Sequence, residues 1–566
     1  MFDSLPKSSL EVLDWSWEKY QPFVDDLGNR ELTADNIHQY LIDWTRFYEL
    51  VMESYMRLYL ATSMDTTDEV AQKKFHAFLD EIYPPALVAL QKFKEKLLVS
   101  SLSPDGFEIP FRNIRTEVAL FRDENVPLLT RESKLVTEYE KIMGTQTVVW
   151  EGEEKTINQM RLNYQNPDRV VREKAWRLVM ERQLQDRDAI NDLWRRFLKL
   201  RLEITSNADL PDYRAYRWKA LLRFDYTPDD CVTFHNAIEE VVVPAAMRIY
   251  ERRRQQLGVG TLRPWDLDVD PIDRPPLRPF DDVTELEEKT TLIFQNVSPR
   301  LAEHFVTMRQ EKLLDLENRK GKAPGGFCIT FYTKRQPFIF QNSVGIHDDV
   351  QTMLHESGHA FHVFESAYLP YYQQLFAPME FNEVASIAME LMAAPYLVEH
   401  QGGFYSEADA ARARVEYLEQ SICFWPYMAV VDAFQHWVYQ NPKDAMNPEK
   451  CDENWGQLWG RFMKGVDWSD LDEAKVTGWH RKIHIHTDPF YYVEYGLAQL
   501  GAVQVWANSL KDQAEAIASY HKALALGGTV TLPELFATAG ARFTFDAETL
   551  RKAVDLIEEK IFELSQ

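Results

Sequence analysis

Apolar residues recur along this chain at helical spacing. Ile37, Tyr40, Leu41, Trp44, Phe47, Tyr48, Val51 and Tyr55 share one face and continue into Leu58 and Leu60, with Thr33 and Asp35 placed to cap the start. The same spacing predicts helices near Thr67, from Pro84-Pro85 to about Leu98, from Asp168 to about Ile204 and from Pro228 to about Leu257. Two stretches break the rhythm. Pro264, Pro271, Pro275, Pro276 and Pro279 exclude a regular helix between Thr261 and Val283, leaving an irregular excursion or a hinge. After Pro324-Gly325-Gly326, which reads equally as an ordinary turn or a mobile loop, two short apolar runs (327–332 and 337–341) flank a polar turn and predict a β-hairpin. Helical patterns resume at about Asp348 and run to the end. The expectation is a mostly α protein with one small β element.

Length and charge narrow the picture. At 566 residues the chain exceeds the size at which single cores usually stop growing, so two lobes or one elaborated domain are expected. A formal charge of −25 repels phosphate backbones and anionic lipid surfaces, which argues against nucleic acid or membrane partners. No apolar run is long enough to span a bilayer, and the first residues lack a basic segment followed by an apolar one. The four cysteines, Cys231, Cys328, Cys423 and Cys451, form no Cys-x-x-Cys pair and read as reduced thiols. These features predict a cytoplasmic protein.

The chemistry concentrates in His355-Glu356-Ser357-Gly358-His359. On an α-helix, residues four apart differ by about 40° and rise about 6 Å, so His355 and His359 can meet one tetrahedral metal ion. Glu356 sits about 100° round from His355, where it can reach a metal-activated water but not easily the metal, a general-base position. Zinc needs a third protein ligand and leaves a fourth position open. Glu365 on a continuing helix lies about 15 Å along the axis from His355 and cannot reach. His362 is too far along to share a metal with both histidines and reads as a packed polar residue. The remaining candidates are carboxylates of the next helical segment, and periodicity does not choose among Glu380, Glu383 and Glu390.

His355-Glu356-x-x-His359 followed by Phe381-x-Glu383-Val384-x-Ser386 resembles the thimet oligopeptidase and oligoendopeptidase F family of zinc metallopeptidases, nearest the oligoendopeptidase F branch. Phe338-Ile339-Phe340 and Pro489-Phe490-Tyr491-Tyr492-x-x-Tyr495-Gly496 extend the resemblance, which covers roughly Asp168 to the C-terminus. It implies Glu383 as third ligand and Glu356 as catalytic base, with Glu390 in the site wall or bonded to a ligating histidine. It further implies that His484 and Tyr495, with Tyr492 nearby, touch the substrate or its oxyanion, ahead of Tyr491 and His486.

The motif and the resemblance together predict a zinc oligopeptidase carrying one Zn2+ per chain and cleaving short peptides. The expected fold is mostly α, two helical lobes around a deep substrate channel, with the hairpin beside the zinc and able to pair with an extended peptide. The division expected is an N-terminal helical lobe over 1–165 and a catalytic domain over 166–566. The rivals are a helical carboxypeptidase or peptidyl-dipeptidase and a metal-stabilised binding protein without turnover. Retention of Glu356 argues against the last, since a structural zinc needs no base.

Overall fold

The computed structural model describes residues 2–65, 68–319, 322–323 and 325–566. Among the described residues helices dominate, and the β-strands form two small sheets. The helix expected after Thr33 runs over Ile37–Met64, with Asn36 rather than Asp35 just before it and no side-chain cap. The helix expected near Thr67, a residue outside those described, is Glu69–Glu81, capped by the Asp68 carboxylate. The Pro84-Pro85 pair falls in the first turn of Tyr83–Ser100, where a missing N–H is harmless. The long segment after Asp168 divides into Arg169–Leu184 and Arg187–Asn207. The segment after Pro228 is Pro228–Ala237, a π turn over Ile238–Val242, and Val243–Gln256. The five-proline stretch holds only a short 3-10 turn, Pro264–Asp266.

By packing, the chain forms two discontinuous units. The first comprises Met1–Ala119, Arg278–Ala410 and Gly501–Phe543, and the second Leu120–Leu277, Ala411–Leu500 and Thr544–Gln566. This division differs from a cut at residue 165. Strands β1 (Thr147–Trp150) and β2 (Glu153–Thr156) form an antiparallel pair, and Val148 and Trp150 bury themselves against Met160, Ala175 and Val179. That small core ties residues before 165 to the Arg169–Leu184 helix.

The first unit has an aromatic core in which Trp44 meets Phe93 and Tyr372 edge-on. Its sheet has the order β3-β5-β4: β3 (Leu314–Glu317) is parallel to β5 (Gln336–Ser343), and β4 (Phe327–Phe331) is antiparallel to β5. The expected hairpin is therefore present as β4–β5. Strand β3, Leu-Asp-Leu-Glu, alternates apolar and polar residues over only four positions and lies outside the expected hairpin. Pro324 of the preceding Pro-Gly-Gly run lies outside the described residues. Phe338, Ile339 and Phe340 of β5 are buried, and β5 packs on the helix His347–Ser366. The second unit is knit by buried tryptophans, among them Trp194 against Trp479, and by a fully buried arginine, Arg201. No helix among the described residues is long and apolar enough to cross a membrane.

Candidate active site

The motif histidines lie on the helix His347–Ser366 of the first unit. Asp348 and Asp349 sit inside its first turn. The Asp349 carboxylate accepts from the amides of Val344 and Ile346 and so fixes the turn into the helix. The next helix, Met379–Ala393, is almost wholly buried and crosses the first at Gly358. A Cβ at 358 would stand 2.5 Å from Ser386 Cα and 2.7 Å from Ala385 O, so only glycine permits this approach. Tyr520 braces the same crossing by donating to Ala385 O at 2.9 Å.

The crossing selects among the three carboxylates. Glu383 Oε2 lies 3.5 Å from His355 Nε2 and 3.7 Å from His359 Nε2. Zinc bonds of about 2.0–2.1 Å give donor–donor edges of about 3.3–3.4 Å, and the two separations from Glu383 lie close to that. His355, His359 and Glu383 form a donor set with atoms all within 4.8 Å of one another. Glu390, two turns on from Glu383, instead bonds the far nitrogen of His355, with Nδ1 to Oε1 at 2.7 Å. A neutral His355 donating from Nδ1 presents the Nε2 lone pair to the cluster. Glu380 is buried in the first turn of its helix and is not in the donor set.

The electrostatics suit a cation. Burial alone would lower the pKa of His355, but bonds to Glu383 and Glu390 raise it well above the usual range, so the pocket favours positive charge there. Burial lowers His359 to about 4 and keeps it neutral, the ligating form. The two imidazoles remain 26% and 22% exposed, leaving the open face that a catalytic metal needs and a structural one lacks. The chemistry of the donors, their spacing and this open face fit zinc.

Glu356 points beside the cluster, buried to 8% exposure. Burial pushes it up to about 7, opposed by the His355 charge and by a hydrogen bond from the Cys328 amide. That amide identifies the neighbouring strand edge. Ile339 N–H donates to Leu313 O on the β3 side, so its partner across β4–β5, Cys328, is in a non-hydrogen-bonded pair and directs its amide away from the sheet. Strand β4 is thus an edge strand whose outward side carries the group that holds Glu356.

Glu365 is occupied elsewhere. It accepts from Arg300 at 2.5 Å and bonds His304 and His521 at 3.0 Å each. Burial would raise its pKa, but these partners bring it down to about 2. His362 is buried edge-on to Phe381, lowered to about 4 by burial, and outside the donor set.

The aromatic segment lies in the second unit. His484 sits in a short helical turn, Ile483–His486. Its ring is 5.0 Å from Tyr492 and 5.9 Å from Tyr495, centroid to centroid. Tyr495 is half-buried on the helix Val493–Ser509, with Tyr492 just before it. Tyr491 stacks on His484, whereas His486 is fully buried, stacked on Tyr139 and lowered to about 3 by burial. Lys482 lies 3.8 Å above the Tyr492 ring, and burial brings it down to about 7.

Three arginines invisible to motif reasoning clamp this segment's backbone. Arg201 donates to the carbonyls of Ile485 and His486, Arg217 to Pro489 and Arg223 to Phe490. Phe490 adopts φ +65°, a left-handed conformation unusual for an aromatic, with its N–H held by Gln435 and its carbonyl by Arg223. Nothing in the local pattern around Arg201, Arg217 or Arg223 marks them. Gly358 could have been singled out, as the one motif residue with no side chain.

Comparison with known proteins gives a consistent result. The description Peptidase family M3 matches residues 162–555. A crystal structure of PZ peptidase A with inhibitor 2 is similar over 100% of this chain and 99% of that one, with 26% identity and TM-score 0.88. An X-ray structure described as oligoendopeptidase F is similar over 99% of this chain and 98% of that one, with 27% identity and TM-score 0.88. The oligoendopeptidase F homolog of Borreliella burgdorferi is 19% identical over 476 residues, 80% of this chain and 76% of that protein.

Proposed function

Taking as premise that this chain belongs to peptidase family M3 and is a metallopeptidase, we propose that it is a zinc oligopeptidase with one catalytic Zn2+ held by His355, His359 and Glu383. The observation that carries this reading is the convergence of those three donor atoms on one open face, with Glu356 alongside. Zinc, when bound there, supplies Lewis-acid polarisation of a water and of the scissile carbonyl.

The chain's own residues do the rest. Glu390 holds the His355 Nδ1 proton and so keeps Nε2 turned to the cluster. The Cys328 amide orients the Glu356 carboxyl. Glu356 accepts the proton of the attacking water and delivers it to the departing amine nitrogen, the role its position and raised pKa suit. The outward edge of β4 offers backbone groups to an extended peptide, whatever its side chains. We assign the oxyanion donor to the Tyr495 hydroxyl, with His484 and Tyr492 as its companions. This assignment rests on the resemblance of the segment.

The substrates proposed are short, flexible peptides, and the compartment a reducing cytoplasm, in keeping with four free thiols. Metal analysis with product mapping on internally quenched peptides, free or blocked at their ends, tests the reading. One zinc at this centre and internal cleavage of blocked peptides support it. Cleavage only next to a free C-terminus would replace it with a carboxypeptidase or peptidyl-dipeptidase, and zinc without turnover with a binding protein.

A further inference from the structure

The second unit holds another cluster with metal-ligand chemistry. Cys231 and His235 are four apart on the helix Pro228–Ala237, and Asp432 and His436 are four apart on the helix Glu407–Gln440, so each pair shares one face of its helix. The two faces meet. One ligand atom each from Cys231, Asp432 and His436 lies within 4.8 Å of the others, and all three residues are buried. His235 stands behind the carboxylate, with Nε2 bonded to Asp432 Oδ2 at 2.8 Å.

The bond from His235 accounts for only one oxygen of the Asp432 carboxylate. Asp432 Oδ1 and both ring nitrogens of His436 are buried without a hydrogen-bond partner among the described residues. Buried polar atoms of that kind are rare and ask for an explanation. His436 Nε2 is only 3.3 Å from Asp432 Oδ2, yet the two are not aligned as donor and acceptor. That separation matches the edge of a tetrahedron with bonds of about 2.0 Å, as when both atoms point at a third body. A π turn follows directly at Ile238–Val242, a distortion often found at functional sites. Phe462 flanks His235, and Trp218 and Phe490 flank His436, forming an apolar shell.

We propose that Cys231, Asp432 and His436 form a second, structural zinc site, with His235 as the residue that positions the carboxylate. Thiolate, imidazole and carboxylate together favour zinc over the hard cations. Binding breaks the Cys231 S–H bond, forms a Zn–S bond and releases the proton to solvent. The 2+ charge is then balanced by one thiolate and one carboxylate, which suits a buried site. The ion pins Pro228–Ala237 to Glu407–Gln440 and takes no part in hydrolysis. The proposal stands independently of the first centre.

The test uses the full chain carrying His355→Ala and His359→Ala to remove the first centre, and Cys328→Ser to remove the thiol beside Glu356. After loading with zinc and removal of excess, this chain should keep about one zinc and the wild type about two. Loaded with cobalt instead, it should show a near-ultraviolet thiolate-to-cobalt band. Adding Cys231→Ser should abolish both the residual zinc and the band. Should that last variant fail to fold, the zinc count and cobalt spectrum of its parent still decide. A parent chain that holds no zinc, or cobalt bound without the thiolate band, overturns the proposal.

Discussion

At the scale of single residues, the site separates carboxylates by what holds them. Glu356 flanks the donor set, and its raised pKa places it near the range useful to a general base at neutral pH. Glu356→Gln is expected to keep zinc and lose about 10²–10⁴ in kcat, checked by metal content and single-turnover kinetics. Near wild-type turnover would remove Glu356 from the mechanism. Glu383→Ala is expected to lose the zinc of this centre, whereas Glu380→Ala and Glu365→Ala keep it, because only Glu383 lies in the donor set with the two histidines. Full zinc occupancy in Glu383→Ala would show the ligand set to be wrong.

Glu365→Ala should instead lower stability. Its carboxyl sits at about 2 in the fold against an ordinary 4.5, so its ionised form is the one the fold favours. That contribution, at most about 3 kcal/mol, is complete above pH 4.5 and is lost as pH falls toward 2. Denaturation of wild type and variant across that window should converge at the acid end. Tyr495→Phe preserves the ring and removes one hydroxyl. As an oxyanion donor its loss should lower kcat by about 10²–10³ with little change in KM. A kcat within about twofold, with zinc bound, would make Tyr495 a packing residue.

At the scale of elements, the decisive contact is the crossing of His347–Ser366 with Met379–Ala393. It sets which turn of the second helix faces the histidines. Gly358→Ala gains about 1 kcal/mol of helix propensity. It also places a methyl against the Ser386 backbone, where overpacking costs about 1–3 kcal/mol. The expected outcome is a small net loss of Tm and a larger loss of zinc affinity, as Glu383 is pushed from the histidines. Calorimetry and zinc titration on the same sample separate the two. Unchanged affinity would mean that the crossing does not control the ligand set. The β4 edge is the other element of consequence, because it joins substrate-pairing capacity to the amide that orients Glu356.

At the scale of the whole molecule, pairing with the β4 edge requires an extended backbone, which a stable folded domain does not offer. A peptide of about ten residues should be cleaved readily, and the same segment inside a folded domain should resist until that domain is unfolded. Efficient cutting of the folded form, followed by mass spectrometry, would count against an oligopeptidase.

Much of the local chemistry was legible in the chain before any packing was known. Helical periodicity relates residues within a turn or two, so it placed His355, Glu356 and His359 on one helix and excluded Glu365 from their metal. The hairpin around 327–343 was equally local, two apolar runs about a turn. Relations between distant elements were not legible, because they depend on how faces pack. Periodicity left Glu380, Glu383 and Glu390 open. Resemblance favoured Glu383, and the spacing of Glu383 from both histidines follows from the Gly358 crossing. Strand β3 alternates apolar and polar residues over only four positions, too short a signal to stand alone, and is held by pairing along the second edge of β5. The chain's division into units passes through 120, 278, 411, 501 and 544, and of these only 278 lies in a stretch the sequence marks, the five-proline run. Cys231-x-x-x-His235 and Asp432-x-x-x-His436 are each unremarkable alone. Only the packing of their helices brings a thiol, a carboxylate and an imidazole to one buried point, and that juxtaposition is tertiary by nature.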